Sequence, residues 1–532
     1  MFRIGLRIFI TTLLLLCLFA VSPLAAEASH ADTAAETEGI SSPQRLFDGS
    51  RSTYVRIPEG ASVTLSRTDG IAAVYIEFDR IPQAWFLSDA NGNSIRCGQN
   101  GFLHEFVDVS AWFDALPETL TLTFPEGTVI ADIYAFSSGA LPDWVQIWNP
   151  PCEQADLLLL SSHSDDEQLF FAGVLPYYAV ERQLNVQVVY AVQHFEAWGA
   201  PDHQRPHEQL DGLWTVGVRN YPVMSDFPDL YSESKDRAEA FSAAQEVYQN
   251  VGITYEDFVG YITECIRRFE PLVVVSHDLD GEYGHGTHVY TAAALTEAIA
   301  LAADETQFPD SAAAYGPWTV EKTYLHLYEE NRITMDWDTP LESLGGKTPF
   351  EVTQEGFACH KSQHWGWFYK WIYGTSDAPI TKASQVRGYS PCRYGLYDTQ
   401  VGPDVTGGDF FENVETYAQR AARAAAEEAA RLQAEEEARL QAEAEAHAKA
   451  EAEAAAKAQA EAEAKAQAEA EAKAQAEAQA KAEQAAAAQA AAEAARQTRV
   501  RQISMFAGLA AVLCAAGLLA VLLRRKKVRA KH

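Results

Sequence analysis

Along residues 41–141 apolar and polar positions alternate in short runs: Ser62 to Ser66, Ala73 to Phe78, Ala84 to Ser88, Phe102 to Val109, Thr119 to Phe124 and Ile130 to Phe136. A period of two puts every second side chain on one face, and Asp69-Gly70 and Asn91-Gly92 supply turns between runs. This predicts an all-β sandwich. Beyond the connector Trp144 to Pro150 the pattern changes. Asp156 to Leu160, Val186 to Val192 and Pro271 to Val275 are largely apolar, as in strands buried on both faces, and between them Gln168 to Glu181, Arg205 to Val216 and Tyr255 to Phe269 have helical period. Over 152–414 this alternation predicts a three-layer α/β domain on a mostly parallel, Rossmann-like sheet.

Residues 415–500 are an Ala, Glu, Lys and Gln tract with an eight-residue repeat. Its alternation would suit a strand, but its residue types are strong helix formers. Glu453 and Lys457, Glu461 and Lys465, Glu469 and Lys473, and Glu477 and Lys481 are spaced to pair one helical turn apart. A helical stalk is expected, with Leu432 and Leu440 too few for a coiled-coil seam. At the N-terminus, Arg3 and Arg7 precede the apolar run Ile8 to Val21 and the small residues Ala25, Ala26 and Ala28, which predicts a signal peptide over 1–26. At the other end, Ile503 to Leu523 is long enough to cross a ~30 Å hydrocarbon core. Arg524 to Lys527 follow it directly, so a transmembrane helix at 503–523 with a basic cytoplasmic tail at 524–532 is expected. The chain then reads as a single-pass cell-membrane protein with an extracellular ectodomain.

Charge narrows the partners. With 74 acidic and 41 basic residues the formal net charge is −33, which argues against nucleic acid, whose phosphates would be repelled. Cys97, Cys152, Cys265, Cys359 and Cys392 are odd in number and lack C-x-x-C spacing, so no zinc-thiolate site is supported.

Candidate chemistry sits at the ends of two apolar strands. The first is followed by Ser161-Ser162-His163-Ser164-Asp165-Asp166-Glu167, the second by Ser276-His277-Asp278-Leu279-Asp280-Gly281-Glu282-Tyr283-Gly284-His285-Gly286-Thr287-His288. Carboxyl ends of strands are where open α/β sheets bind ligands. His163, Asp166 and His288 offer two imidazoles and a carboxylate to one Zn²⁺ ion and leave a position for water. Asp165, not needed as a ligand, is free to take a proton, and His285 to stabilise an oxyanion. His194, His203 and His207 read as polar cleft wall or surface, and His360 and His364 as packing or capping residues. The aromatic cluster Trp365, Trp367, Phe368, Tyr369 and Trp371 could stack on sugar rings or pack the core.

At these residues the chain resembles a known family. His163-Ser164-Asp165-Asp166-Glu167 resembles the HPDDE box, and Gly284-His285-Gly286-Thr287-His288 the HxxH box, of the zinc-dependent LmbE/PIG-L de-N-acetylases. The resemblance implies His163, Asp166 and His288 as zinc ligands, Asp165 as general base and then acid, and His285 as the group polarising the acetyl carbonyl. Arg205-Pro206-His207-Glu208 is similar to the family's R-x-x-E helix start, implying that Arg205 contacts substrate. Ser164 stands where the box has proline, and Thr287 where many members have an aspartate, so the charge orienting His285 is expected from Glu282 or Asp278. Separately, Leu46 to Thr53 resembles the start of discoidin-like, galactose-binding modules, which implies glycan binding by the sandwich. The function implied is hydrolysis of the acetamide of an N-acetylglucosamine-type sugar. A non-catalytic glycan-binding protein and a zinc amidase on another amide are the alternatives.

Overall fold

The computed structural model describes residues 27–195, 203–468, 486–501 and 504. Nine strands build the N-terminal sandwich: β1 (Ala34–Glu38), β2 (Val55–Ile57), β3 (Ser62–Ser66), β4 (Ala73–Phe78), β5 (Trp85–Asp89), β6 (Ser94–Cys97), β7 (His104–Asp108), β8 (Thr119–Thr123) and β9 (Thr128–Phe136). They form two antiparallel sheets ordered β1-β3-β8-β5-β6 and β2-β9-β4-β7. Val63 and Leu65 of β3 and Leu120 and Leu122 of β8 point inward and are fully buried with Phe78 and Trp85, each worth ~1.5–3 kcal/mol of apolar transfer. β4 departs from the two-period reading because both its faces are covered. Its Tyr75 packs with Phe136 and Val145 of the connector, outside the main sandwich core.

The second layer system holds β10 (Leu157–Ser161), β11 (Val186–Tyr190), β12 (Val223–Met224), β13 (Val273–Ser276), β14 (Lys322–His326), β15 (Arg332–Thr334) and β18 (Arg393–Thr399), with β16 (Gly374–Thr375) and β17 (Ala378–Pro379) as a separate small hairpin. The sheet order is β12-β11-β10-β13-β14-β18-β15. Strands β12 to β14 pair in parallel, while β18 runs antiparallel to both β14 and β15. The sheet is therefore mostly parallel, as expected, but mixed at one edge, where β18 alone runs against the other strands. The antiparallel edge escaped the hydrophobic pattern because β15 and β18 are only partly buried and carry no long apolar run.

Helices α1 (Asp166–Leu169), α2 (Arg205–Thr215), α3 (Arg237–Gln249), α4 (Tyr255–Phe269), α5 (Gly286–Ala302), α6 (Pro309–Tyr315), α7 (Pro349–Phe357) and α8 (Gly366–Tyr373) follow in chain order. On one sheet face Leu158, Leu160, Val189 and Val274 pack with Phe258, Ile262, Ile266, Tyr290 and Leu295. Leu157 and Leu159 point the other way and are equally buried, so both faces are covered. α4 starts at a capping box between Thr254 and Asp257. The helix expected over Gln168 to Glu181 is broken: α1 is a single turn and Pro176–Glu181 is π-helical. Gly173 between them has φ +91°, and a Cβ there would run into the Trp337 indole.

β10 lies between β11 and β13, so successive connections leave it in opposite directions across the sheet. Such a switch point opens a crevice at the carboxyl ends of the strands. The loops after β10 and β13 lie there.

The chain divides into two compact units between Tyr417 and Ala418. In the second, α9 (Tyr417–Ala468) is largely solvent-exposed over residues 418–460 and carries pairs such as Arg431 with Glu428 at 2.6 Å and Arg423 with Glu427 at 3.3 Å. Arg499 lies 3.1 Å from Glu443, so the helical stretch 486–501 returns to α9 instead of extending it as one straight rod. The membrane location expected from the sequence is overturned: among the described residues no helix is long and apolar enough to cross a membrane. The segments that suggested it, 1–26 and 503–523, lie outside the described residues apart from Ser504. Among the described residues the five cysteines Cys97, Cys152, Cys265, Cys359 and Cys392 are free thiols.

Candidate active site

His163, Asp165 and Asp166 occupy the tight loop between β10 and α1, and His285 and His288 the start of α5. The structure brings three of their atoms into a small triangle. His163 Nδ1 lies 3.0 Å from Asp166 Oδ2 and 3.1 Å from His288 Nε2, and His288 Nε2 lies 3.2 Å from Asp166 Oδ2. Ligand atoms ~2.0–2.1 Å from a tetrahedral zinc ion stand ~3.3 Å from one another, so the triangle fits one face of such a site. Electrostatics agree. Burial disfavours an imidazolium at both histidines, yet Asp229 and Asp166 push His163 up to about 10, and Asp166 with Glu282 pushes His288 up to about 9. Burial raises Asp166 too, but His288 and His163 outweigh it and hold the carboxyl well below its usual range. Buried carboxylates that draw positive charge onto two imidazoles make a pocket suited to a cation. Of the imidazoles near this triangle, His285 also lies within reach of His163 and His288, while His277 falls close to Asp166 and His288.

Behind the triangle sits a support the sequence reading assigned elsewhere. Glu282 is fully buried; its Oε2 accepts from His288 Nδ1 at 2.8 Å and His277 Nδ1 at 2.7 Å, and its Oε1 from His326 Nδ1 at 2.7 Å. With Nδ1 protonated, His288 presents a bare Nε2 to the triangle, the tautomer a metal needs. His277 Nε2 accepts the Ser162 backbone N–H at 2.8 Å, so its lone pair is already committed. Glu282 therefore orients His288, not His285 as expected. Asp229 plays the matching part for His163, its Oδ1 lying 3.3 Å from Nε2. Nothing in the spacing around Asp229 announced it, whereas His277 directly follows β13, the strand next to β10.

His285 is kept neutral. Its Nδ1 accepts the Thr287 backbone N–H at 3.2 Å, which leaves the proton on Nε2; burial, then His163 and His288, lower its pKa well below the usual value. The aspartate absent at Thr287 is replaced by an α-helix start, not by another carboxylate. Gly284 and Gly286 make this possible: a Cβ at Gly284, whose φ is +85°, would overlap the Ser234 carbonyl, and one at Gly286 the Ser232 hydroxyl. Tyr283 between these elements has φ +53° and sets its ring edge-on to His285 and His288, 5.5 Å from each.

Asp165 adopts φ 152° at the mouth of the loop, held by its N–H to Glu167 Oε2 at 2.9 Å. Burial pushes its carboxyl up, against the opposing pull of Arg205. Arg205, the first residue of α2, places Nη2 3.4 Å from Asp165 Oδ1 and 3.4 Å from the Ser164 carbonyl. Ser164 is more than a neutral exchange for proline, since its hydroxyl meets His194 Nδ1 at 2.9 Å. Glu167 is backed by His360 Nε2 at 3.4 Å. His203 pairs with Asp79 at 2.9 Å and His207 with His104 at 2.7 Å, so both belong to the sandwich contact and not to the cleft.

Comparison with known proteins fits this arrangement. The chain matches the PIG-L profile, described as GlcNAc-PI de-N-acetylase, over residues 158–299. It is 25% identical over 221 residues to a 1D-myo-inositol 2-acetamido-2-deoxy-alpha-D-glucopyranoside deacetylase of Streptomyces avermitilis, covering 38% of this chain and 64% of that protein. It is 44% identical over 82 residues to the protein of the same name from Segniliparus rotundus, covering 15% and 23% of the two chains. The chain thus spans less than two thirds of the length of these relatives. Among solved structures, the N,N'-diacetylchitobiose deacetylase of Pyrococcus horikoshii aligns with 48% of this chain and 86% of that one at 14% identity and a TM-score of 0.30, too loose a likeness to rest an argument on. The match spans both histidine motifs, so residues 158–299, which contain them, are similar to the PIG-L family.

Proposed function

We propose that the chain is a metal-dependent hydrolase that removes the acetyl group from an N-acetylglucosamine-type sugar. The observation that carries the proposal is the triangle of His163 Nδ1, Asp166 Oδ2 and His288 Nε2, with separations of 3.0 to 3.2 Å, next to a buried carboxylate outside it. These three residues would hold the metal. A zinc ion bound there would act as a Lewis acid toward the acetyl oxygen and make water a stronger acid.

The chain's own residues do the rest. Asp165, with its carboxyl raised by burial, takes the proton of the attacking water and returns it to the departing amine nitrogen. His285, neutral with its proton on Nε2, donates to the acetyl oxygen as negative charge collects there. Arg205 holds Asp165 in place from the side, where it would also contact substrate. Water adds to the carbonyl carbon, the C–N bond breaks, and acetate and a free amine leave.

The names of the relatives support the acetamide as the bond attacked. The test is acetate release from a panel of N-acetylglucosaminyl compounds, together with metal content. Asp165→Asn should keep its metal and lose nearly all turnover, while His163→Ala should lose metal. A metal-loaded protein that releases no acetate from any member of the panel would sink the proposal.

A further inference from the structure

We infer that the metal crevice opens onto an aromatic platform built for neighbouring sugar rings, so that the preferred substrate is a chain of linked N-acetylated pyranoses and not a single sugar. This rests on the de-N-acetylase reading for the bond that is cut. It goes beyond that reading in the length and linkage of what is bound.

The platform is carried by the segment from His360 to Phe368, which is anchored at both ends to the site. At one end His360 lies 3.4 Å from Glu167 of the metal loop, and Ser362 N and Oγ bind the Glu208 carboxylate of α2. At the other end the Trp367 ring meets Tyr283 edge-on at 5.0 Å, and Tyr283 in turn meets His285 and His288. Between these anchors Trp365 is 61% exposed and Trp367 46%. Tyr231, 62% exposed, stands 5.3 Å from the His285 ring.

Large aromatic faces in water cost hydrophobic free energy, and a group of them in line with a catalytic crevice marks a binding surface. The core accounts for Phe170, Trp371 and Ile372 of the same region, which pack inward, but not for Trp365, Trp367 or Tyr231. A pyranose suits such faces because one side of its ring is a patch of C–H groups while its hydroxyls project at the edge into water. An acetamide seated against His285 puts the adjoining sugars of a linear chain within reach of these rings.

The experiment compares a single N-acetylglucosamine glycoside with a β-1,4-linked hexamer of the same sugar on the metal-loaded full-length protein. Acetate release gives kcat and KM, and quenching of tryptophan fluorescence gives binding independently of turnover. We expect the hexamer to be bound at least tenfold more tightly. Trp365→Ala should raise its KM roughly tenfold with kcat and the monomer's kcat/KM unchanged, and Trp365→Phe should restore most of the loss. Equal affinity for monomer and hexamer, or equal losses on both, would overturn the inference while leaving the de-N-acetylase reading intact. Tryptophan-dependent hexamer binding without acetate from either compound would do the reverse.

Discussion

Glu282 Oε2 stands 2.8 Å from His288 Nδ1, and the same carboxylate also holds His277 and His326. One buried anion thus fixes the tautomer and the orientation of the imidazole that completes the proposed metal triangle. Glu282→Gln keeps the shape but brings an amide N–H against at least one imidazole N–H. Metal affinity should fall by about 10- to 100-fold, measured by titration against a competing chelator, and an unchanged affinity would remove Glu282 from this role.

Metal removal should be visible in stability as well as in rate. A ligand that binds only the folded chain at a thousand times its dissociation constant adds ~4 kcal/mol. Chelation should lower the melting temperature, and zinc at micromolar excess should restore it. In Glu282→Gln the restored shift should be smaller.

Gly284→Ala tests the geometry that keeps His285 neutral. The residue has φ +85°, and the added methyl would overlap the Ser234 carbonyl, so the turn before α5 must move. Turnover should fall by at least a hundredfold while bound metal changes less, since His163 and Asp166 lie on the other loop. Native kcat in this variant would contradict the role given to the turn.

Arg51, from the sandwich, forms ion pairs with Glu77 and with Asp211 of α2, and Gln146 Nε2 binds the other Asp211 oxygen at 2.6 Å. Arg51→Met leaves the buried Glu77 and the part-buried Asp211 without their cation and should cost on the order of 3 kcal/mol, read as a lower urea midpoint. A shift within error would mean that solvent screens the cluster.

The neighbouring histidines give this contact a pH dependence. Gln146 Oε1 accepts from Trp148 Nε1 at 2.9 Å and faces His104 Nδ1 at 2.7 Å, so His104 carries its proton on Nδ1 and accepts His207 Nδ1–H on Nε2 at 2.7 Å. Burial and then Arg51 lower His104 well below its usual pKa, and burial, then His104 and Arg51, do the same to His207. The unfolded chain therefore binds protons that the folded one does not. The stability they contribute is complete above about pH 6.5 and is lost as the pH falls from there toward their folded values. A urea-midpoint profile from pH 8 to 5 should slope downward on the acid side, and His104→Gln should flatten it.

Much of the site was legible because its chemistry is local. His163 to Asp166 and His285 to His288 are short runs at the ends of apolar strands, and strand ends are where such sheets place ligands. The alternation from Ser62 to Phe136 announced the sandwich for the same reason, each strand carrying its own period. What stayed hidden depends on distance along the chain. Asp229 meets His163 across 66 positions and Glu282 meets His326 across 44, and no spacing rule links either pair. The mixed edge of the sheet was missed because β18 shows too little continuous apolar sequence, and the break after α1 because the tight Gly173–Trp337 approach is tertiary.

The anchors on α2 have a mechanical consequence. Arg205 reaches the metal loop, Glu208 the platform segment and Asp211 the sandwich. At about 100° and ~1.5 Å per residue, three such points fan across a third of the helix's circumference and ~9 Å of its length. A body pinned at three points that are not in line can neither roll nor slide without breaking a charged contact. The sandwich is thus the third leg of a tripod, setting where Arg205 can stand beside Asp165.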